Sequence, residues 1–146
     1  MEFVALEKFL EAKVHAELAL SRARQIRDDI EMFKLNLAEN RRMLALDFAG
    51  YCNVYGDSAW TEIQAQDNWS QFREIRTAKV QFYRSSIANS ARRLSDILGL
   101  LGILLAMLPE LDDSTPREYR TVHEDTMKMY NQTRTIFAAL APPFEV

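Results

Sequence analysis

Apolar residues recur every seven positions through the first third of the chain: Phe9, Ala16, Ala23, Ile30, Leu37, Leu44 and Tyr51. Ala12, Ala19, Ile26 and Phe33 fill the position three further on. Such an a/d seam is the pattern of one helix lying along another, as in a coiled coil. Residues 2 to about 52 contain no proline, and no glycine before Gly50, so the spacing predicts one long helix there. The second seam position turns polar at Asn40 and Asp47. Polar residues at such positions can fix register, but the favoured reading is that the helix leaves its core at this point.

Gly50 to Gly56 reads as the first break, and Asp57-Ser58 as the cap of a short helix near 59–66. Asn68 with Gln71 resembles a capping box. It opens a second long helix over 69–108, whose seam is Val80, Ile87, Leu94, Leu101 and Leu108. Pro109 ends it, because proline disfavours the helical conformation in the residue before it. Thr115-Pro116-Arg117-Glu118 then reads as an N-cap, a first-turn proline and a glutamate able to reach back to the cap. The third helix is predicted over 116–141, with Tyr119, Val122, Thr126, Met129, Thr133, Ile136 and Leu140 as its seam and Pro142-Pro143 as its stop. The prediction is an all-α protein: one domain over 1–146, an elongated antiparallel bundle of three main helices. At 1.5 Å per residue the helices span roughly 75, 60 and 39 Å.

One stretch departs from the mixed pattern. Residues 97–108 read ILGLLGILLAML, twelve apolar or glycine residues in succession. As a helix they cover about 18 Å, short of the roughly 20 residues that cross a bilayer. Arg92, Arg93 and Asp96 precede them, and Glu110, Asp112 and Asp113 follow. A helix apolar all round is expected to be buried all round. The first helix offers Phe3, Leu6, Phe9, Leu10, Val14, Leu18 and Leu20 to cover two faces, and the third helix offers Met129, Ile136, Phe137 and Leu140. Gly99, Gly102 and Ala106 lie on the remaining side. Glycine inside a helix costs about 1 kcal/mol relative to alanine, and close packing is the usual way to recover that. The expectation is a partner helix, from a second copy or another protein, on Gly99, Gly102 and Ala106 with Leu100 and Met107 beside them.

Composition narrows the classes of function. Apolar residues at 48% and charged residues at 27% suit a globular chain, and 4 glycines with 4 prolines are too few for an all-β fold. The N-terminal MEFVALEKFLEAK is interrupted by Glu2, Glu7, Lys8 and Glu11, which argues against a secretory signal. Together with the single Cys52 this points to a reducing, cytoplasmic setting. A net charge of −3 disfavours nucleic acid as partner.

Charge is nonetheless segregated. Arg73, Arg76, Lys79, Arg84, Arg92 and Arg93 face only Glu74 between residues 69 and 95, whereas the remainder of the chain has an acidic excess. Arg22, Arg24, Arg41 and Arg42 add basic character to the first helix. Basic faces bind anionic lipid at about 1 kcal/mol per Lys or Arg near the surface. Arg73, Arg76 and Arg84, with those four arginines, are therefore the candidate anionic-surface residues.

No constellation of residues points to catalysis. The residues three before His15 and His123 are Ala12 and Arg120, so the Glu-x-x-His pairs of a di-iron bundle are absent. No phosphate-binding glycine loop or nucleophile elbow occurs. The expectation is a non-enzymatic interaction or scaffold module with no cofactor, metal or small-molecule substrate, self-associating or binding a partner helix. The alternative is a peripheral membrane-binding helical domain.

Overall fold

The computed structural model describes residues 3–56 and 68–140. The chain is all-α: the described residues form four helices and no strand. These are α1 (Phe3–Leu44), α2 (Phe48–Tyr55), α3 (Trp69–Ala106) and α4 (Arg117–Leu140). The expected short helix near 59–66, its Asp57-Ser58 cap and the Pro142-Pro143 stop lie outside the described residues.

The predicted first helix divides in two. After α1 the Ala45 amide bonds to the carbonyls of Arg41 and Arg42, and Leu46 to Met43, a tightening typical of a helix end. Asp47 then takes an extended conformation (φ −79°, ψ 177°), and its carboxylate accepts from the Gly50 amide at 2.7 Å. Asp47 is therefore the N-cap of α2 and not a seam residue. The carbonyls of Leu44 and Leu46 are taken by Arg73 Nη1 at 2.9 and 3.3 Å. Helix α2 closes on Gly56, whose φ of 74° lies in the left-handed region that favours glycine, and whose amide bonds to the Cys52 carbonyl at 2.8 Å.

The other boundaries fall within two residues of expectation, with one change in the caps. Thr115 is nearly buried, but its hydroxyl accepts from the Asp112 amide at 2.9 Å and donates to the Asp112 carboxylate at 3.1 Å. The Thr115 side chain thus turns back into the loop and does not form the expected box with Glu118.

The chain forms two compact units, one of residues 1–29 with 89–146 and one of residues 30–88. In the first, Phe9 packs on Tyr119 and edge-on against His123, with ring centroids 6.0 and 5.8 Å apart. Lys13 pairs with Asp125 at 3.7 Å, and Met129 and Tyr130 pack against the Ala16, Ala19 and Leu101 core. Residue numbers rise together along this contact, so α1 and α4 run parallel. Leu101 packs on Ala16 and Ala19, and Gly102 lies against Tyr130; the short connection between α3 and α4 makes them antiparallel neighbours, so the C-terminal part of α3 runs antiparallel to α1 as well. The seam positions Phe9, Ala12, Ala16, Ala19, Ala23 and Ile26 are all buried. Four alanines among them let the neighbouring helices approach closely. Along α4, Tyr119, Thr126, Thr133 and Leu140 are buried as the seam requires. Thr126 and Thr133 satisfy their hydroxyls on the carbonyls of Val122 and Met129, each at 2.8 Å.

In the second unit Ile30, Leu37, Val80 and Ile87 continue the seams, and Phe33 meets Tyr83 at 6.2 Å. Tyr51 centres an aromatic cluster: Tyr55 stacks on it at 4.6 Å, Phe72 meets it at 4.8 Å and Trp69 at 5.7 Å. Asn40 is 6% exposed, so α1 has not left its core there, contrary to the favoured reading. Its amide donates to the Asn36 carbonyl at 2.7 Å, and its Oδ1 receives Arg76 Nη1 at 3.5 Å.

Candidate interaction surface

The 97–108 run is not buried all round. Within it Leu101 is 4% exposed, whereas Leu100, Ile103 and Met107 are 70, 61 and 72% exposed. The antiparallel pair α1 and α3 leaves a groove of about 450 Å³ in the first unit. Ala19 and Leu101 are among its lining residues, with Leu18 on the α1 side and Ile97, Leu100 and Leu104 on the α3 side. His15 and Arg22 bring polar character to the α1 rim. Leu10, Val14 and Leu18, stepping four apart, form a further exposed stripe on α1. These α1 residues were expected to cover α3; instead α1 uses its alanine face for that contact.

The residues expected to receive a partner fall in different places. Gly102 is half-buried, and a Cβ there would lie 3.3 Å from the Tyr130 hydroxyl, so its small size already serves the contact with α4. Gly99 is exposed, with open space where a Cβ would point, and Ala106 is exposed as well. Leu100 and Met107 are the strongly exposed members of the set. The expectation placed the open side on the glycines. The structure puts the large exposed side chains at Leu100, Ile103 and Met107, and Ile97 and Leu104 line the groove with Leu100. A signal for this was available: Leu10, Val14, Leu18, Leu100, Ile103 and Met107 are all apolar yet lie off the a/d seams.

The basic residues separate similarly. Arg73 binds the two carbonyls after α1 and lies 5.8 Å over the Trp69 ring. Arg76 stacks over Phe72 at 4.6 Å and reaches Asn40. Both hold the second unit together. Arg84 is half-buried, and its Nε is enclosed. Arg41 and Arg42 are exposed in that unit, with Arg42 3.3 Å from Glu39. Arg22 and Arg24 are exposed in the first unit.

Two titratable groups are displaced from their ordinary values. The Tyr55 hydroxyl donates to Glu39 at 2.6 Å, and this bond, followed by burial, raises the phenol pKa. The Asp112 carboxylate accepts from the Ser114 hydroxyl at 2.6 Å and from Thr115, and these bonds lower its pKa. Asp112 therefore holds its negative charge to lower pH than an ordinary aspartate. Arg120 donates to the carbonyls of Asp112 and Thr115 and leaves the carboxylate to those hydroxyls.

Among the described residues no group of three or more His, Cys, Asp or Glu side chains is placed to hold a metal ion. No described helix is long and apolar enough to cross a membrane. The chain matches no protein-family model, no curated protein and no solved structure.

Proposed function

We propose that this protein is a non-enzymatic helical interaction module that self-associates through the α3 face built on Leu100, Ile103 and Met107. The observation that carries the reading is the exposure of those three side chains beside an open apolar groove. Three large apolar residues one helical turn apart form the face a partner helix reads, and contiguous apolar surface of this kind marks interaction sites. Full burial of one such side chain contributes about 1.5–3 kcal/mol, while association costs about 4–15 kcal/mol. Several must therefore be covered at once, as when two copies cover each other's faces. Scaffolding is the role such a module serves, and the lone thiol of Cys52 fits a reducing, cytoplasmic setting.

The membrane-binding alternative draws less support. Arg73 and Arg76, two of its three central residues, are engaged with Leu44, Leu46, Trp69, Phe72 and Asn40.

Light scattering coupled to gel filtration tests the reading. The wild type should exceed its 16.9 kDa chain mass as concentration rises into the micromolar range, and Leu100→Asp with Met107→Asp should hold it at monomer mass with its helical circular dichroism intact. A wild type of monomer mass at every concentration overturns the proposal.

A further inference from the structure

The ends of the exposed α3 face carry opposite charge. Arg92 and Arg93 are exposed at its N-terminal side, and Arg22 is on the α1 rim of the groove that Ile97 and Leu100 line. Glu110, Asp112 and Asp113 are exposed in the loop that follows its C-terminal side. Asp96, one turn inside the arginines, is the acid nearest the basic end in sequence. An apolar strip with a basic end and an acidic end is complementary to itself reversed. Laid parallel, two such strips set arginine against arginine and carboxylate against carboxylate. Laid antiparallel, each end meets its opposite.

From this, and resting on the self-association proposed above, we infer that two copies of α3 pair antiparallel about a twofold axis near Leu101–Gly102, with Arg92 and Arg93 of each copy against the 110–113 loop of the other. Setting Ile97 opposite Met107 of the second copy brings Leu100 opposite Leu104, and puts Arg92 and Arg93 at the level of Asp112 and Leu111, within the acidic loop. Apolar residues meet apolar residues, and the charges meet at both edges. The same pairs occur twice, as an interface of identical patches requires. The bonds from Ser114 and Thr115 to Asp112 hold the acidic loop in one conformation before any partner arrives. Charge pairs at the rim of an interface govern orientation and partner choice, and exposed pairs of this kind weaken as salt rises.

Charge reversal tests the orientation. Arg92→Glu with Arg93→Glu makes both edges acidic, and Glu110→Lys with Asp113→Lys makes both basic; Asp112 is left in place because it organises the loop. All four residues are exposed, and circular dichroism checks that each variant keeps its helix content. Sedimentation equilibrium at low salt should show each double variant dimerising at least tenfold more weakly than wild type. The quadruple variant, with the charges exchanged end for end, should return to within about threefold of wild type. If the wild type dimerises and Leu100→Asp abolishes this, but the double variants match wild type or the quadruple variant stays as weak as the doubles, the antiparallel pairing is wrong and the self-association stands. If the wild type remains monomeric throughout, both fall.

Discussion

A Cβ placed on Gly102 would sit 3.3 Å from the hydroxyl oxygen of Tyr130, whereas one placed on Gly99, three residues earlier on α3, would meet nothing within 4 Å. Two glycines of one helix thus have different reasons for being small. Replacing a helical glycine by alanine gains up to about 1 kcal/mol of backbone entropy. Gly99→Ala should realise most of that. Gly102→Ala should gain less, since the Tyr130 ring must move by a few tenths of an ångström, and Gly102→Leu should destabilise. Urea unfolding of the three variants checks the order.

Arg73 joins α3 to the end of α1 and the turn that follows it. Its guanidinium serves the carbonyls of Leu44 and Leu46 and covers Trp69. A hydrogen bond to a charged group contributes about 1.5–3 kcal/mol, so Arg73→Ala should lower unfolding stability by about that amount. Arg73→Lys should recover only part of it, because an ammonium lacks the planar guanidinium face that stacks on the Trp69 ring. Arg41→Ala, at an exposed position, should stay within about 0.5 kcal/mol of wild type.

The Tyr55 to Glu39 bond predicts an alkaline effect. The neutral phenol is the form that donates, and its folded pKa lies above the usual 10.0. Its contribution is therefore complete below that value and is lost as pH rises through the raised folded pKa. Tyr55→Phe should be less stable than wild type at pH 8, and the gap should close as the pH climbs beyond about 10. Thermal melts across that range check this.

Asp112 predicts the mirror image in acid. Its folded pKa lies below the usual 3.8, so its contribution is present above that value and is lost as pH falls through the lowered one. Asp112→Ala should melt below wild type at pH 6, and the difference should shrink and vanish as the pH falls from 3.8 through the lowered folded pKa.

The heptad positions were legible residue by residue. Phe9, Ala12, Ala16, Ile30, Leu37, Ile87, Leu94, Thr126 and Thr133 are all buried where the sevenfold spacing puts them. A seam says which residues face a neighbouring helix, but not how many neighbours there are. That is why the 97–108 run, expected to be covered on every side, exposes Leu100, Ile103 and Met107. The end of α1 at Leu44 was hidden for a different reason. Asp47 occupies a seam position in the count, and only its extended backbone and the bond its carboxylate accepts from the Gly50 amide make it a cap. The roles of Arg73 and Arg76 were hidden in the same way: a basic residue reads alike in sequence whether it faces solvent or covers an aromatic ring.

The most direct measurement on the proposed surface is the rate at which dilute hydrogen peroxide oxidises Met107, followed by mass spectrometry as protein concentration is raised. Met107 is 72% exposed on the α3 face, and Met32, 52% exposed in the other unit, is the internal reference. Thioether oxidation follows solvent access. Self-association through α3 predicts that Met107 oxidises faster than Met32 in dilute solution and becomes protected as concentration rises, while Met32 does not change. A Met107 rate that stays constant relative to Met32 over the whole range would contradict it.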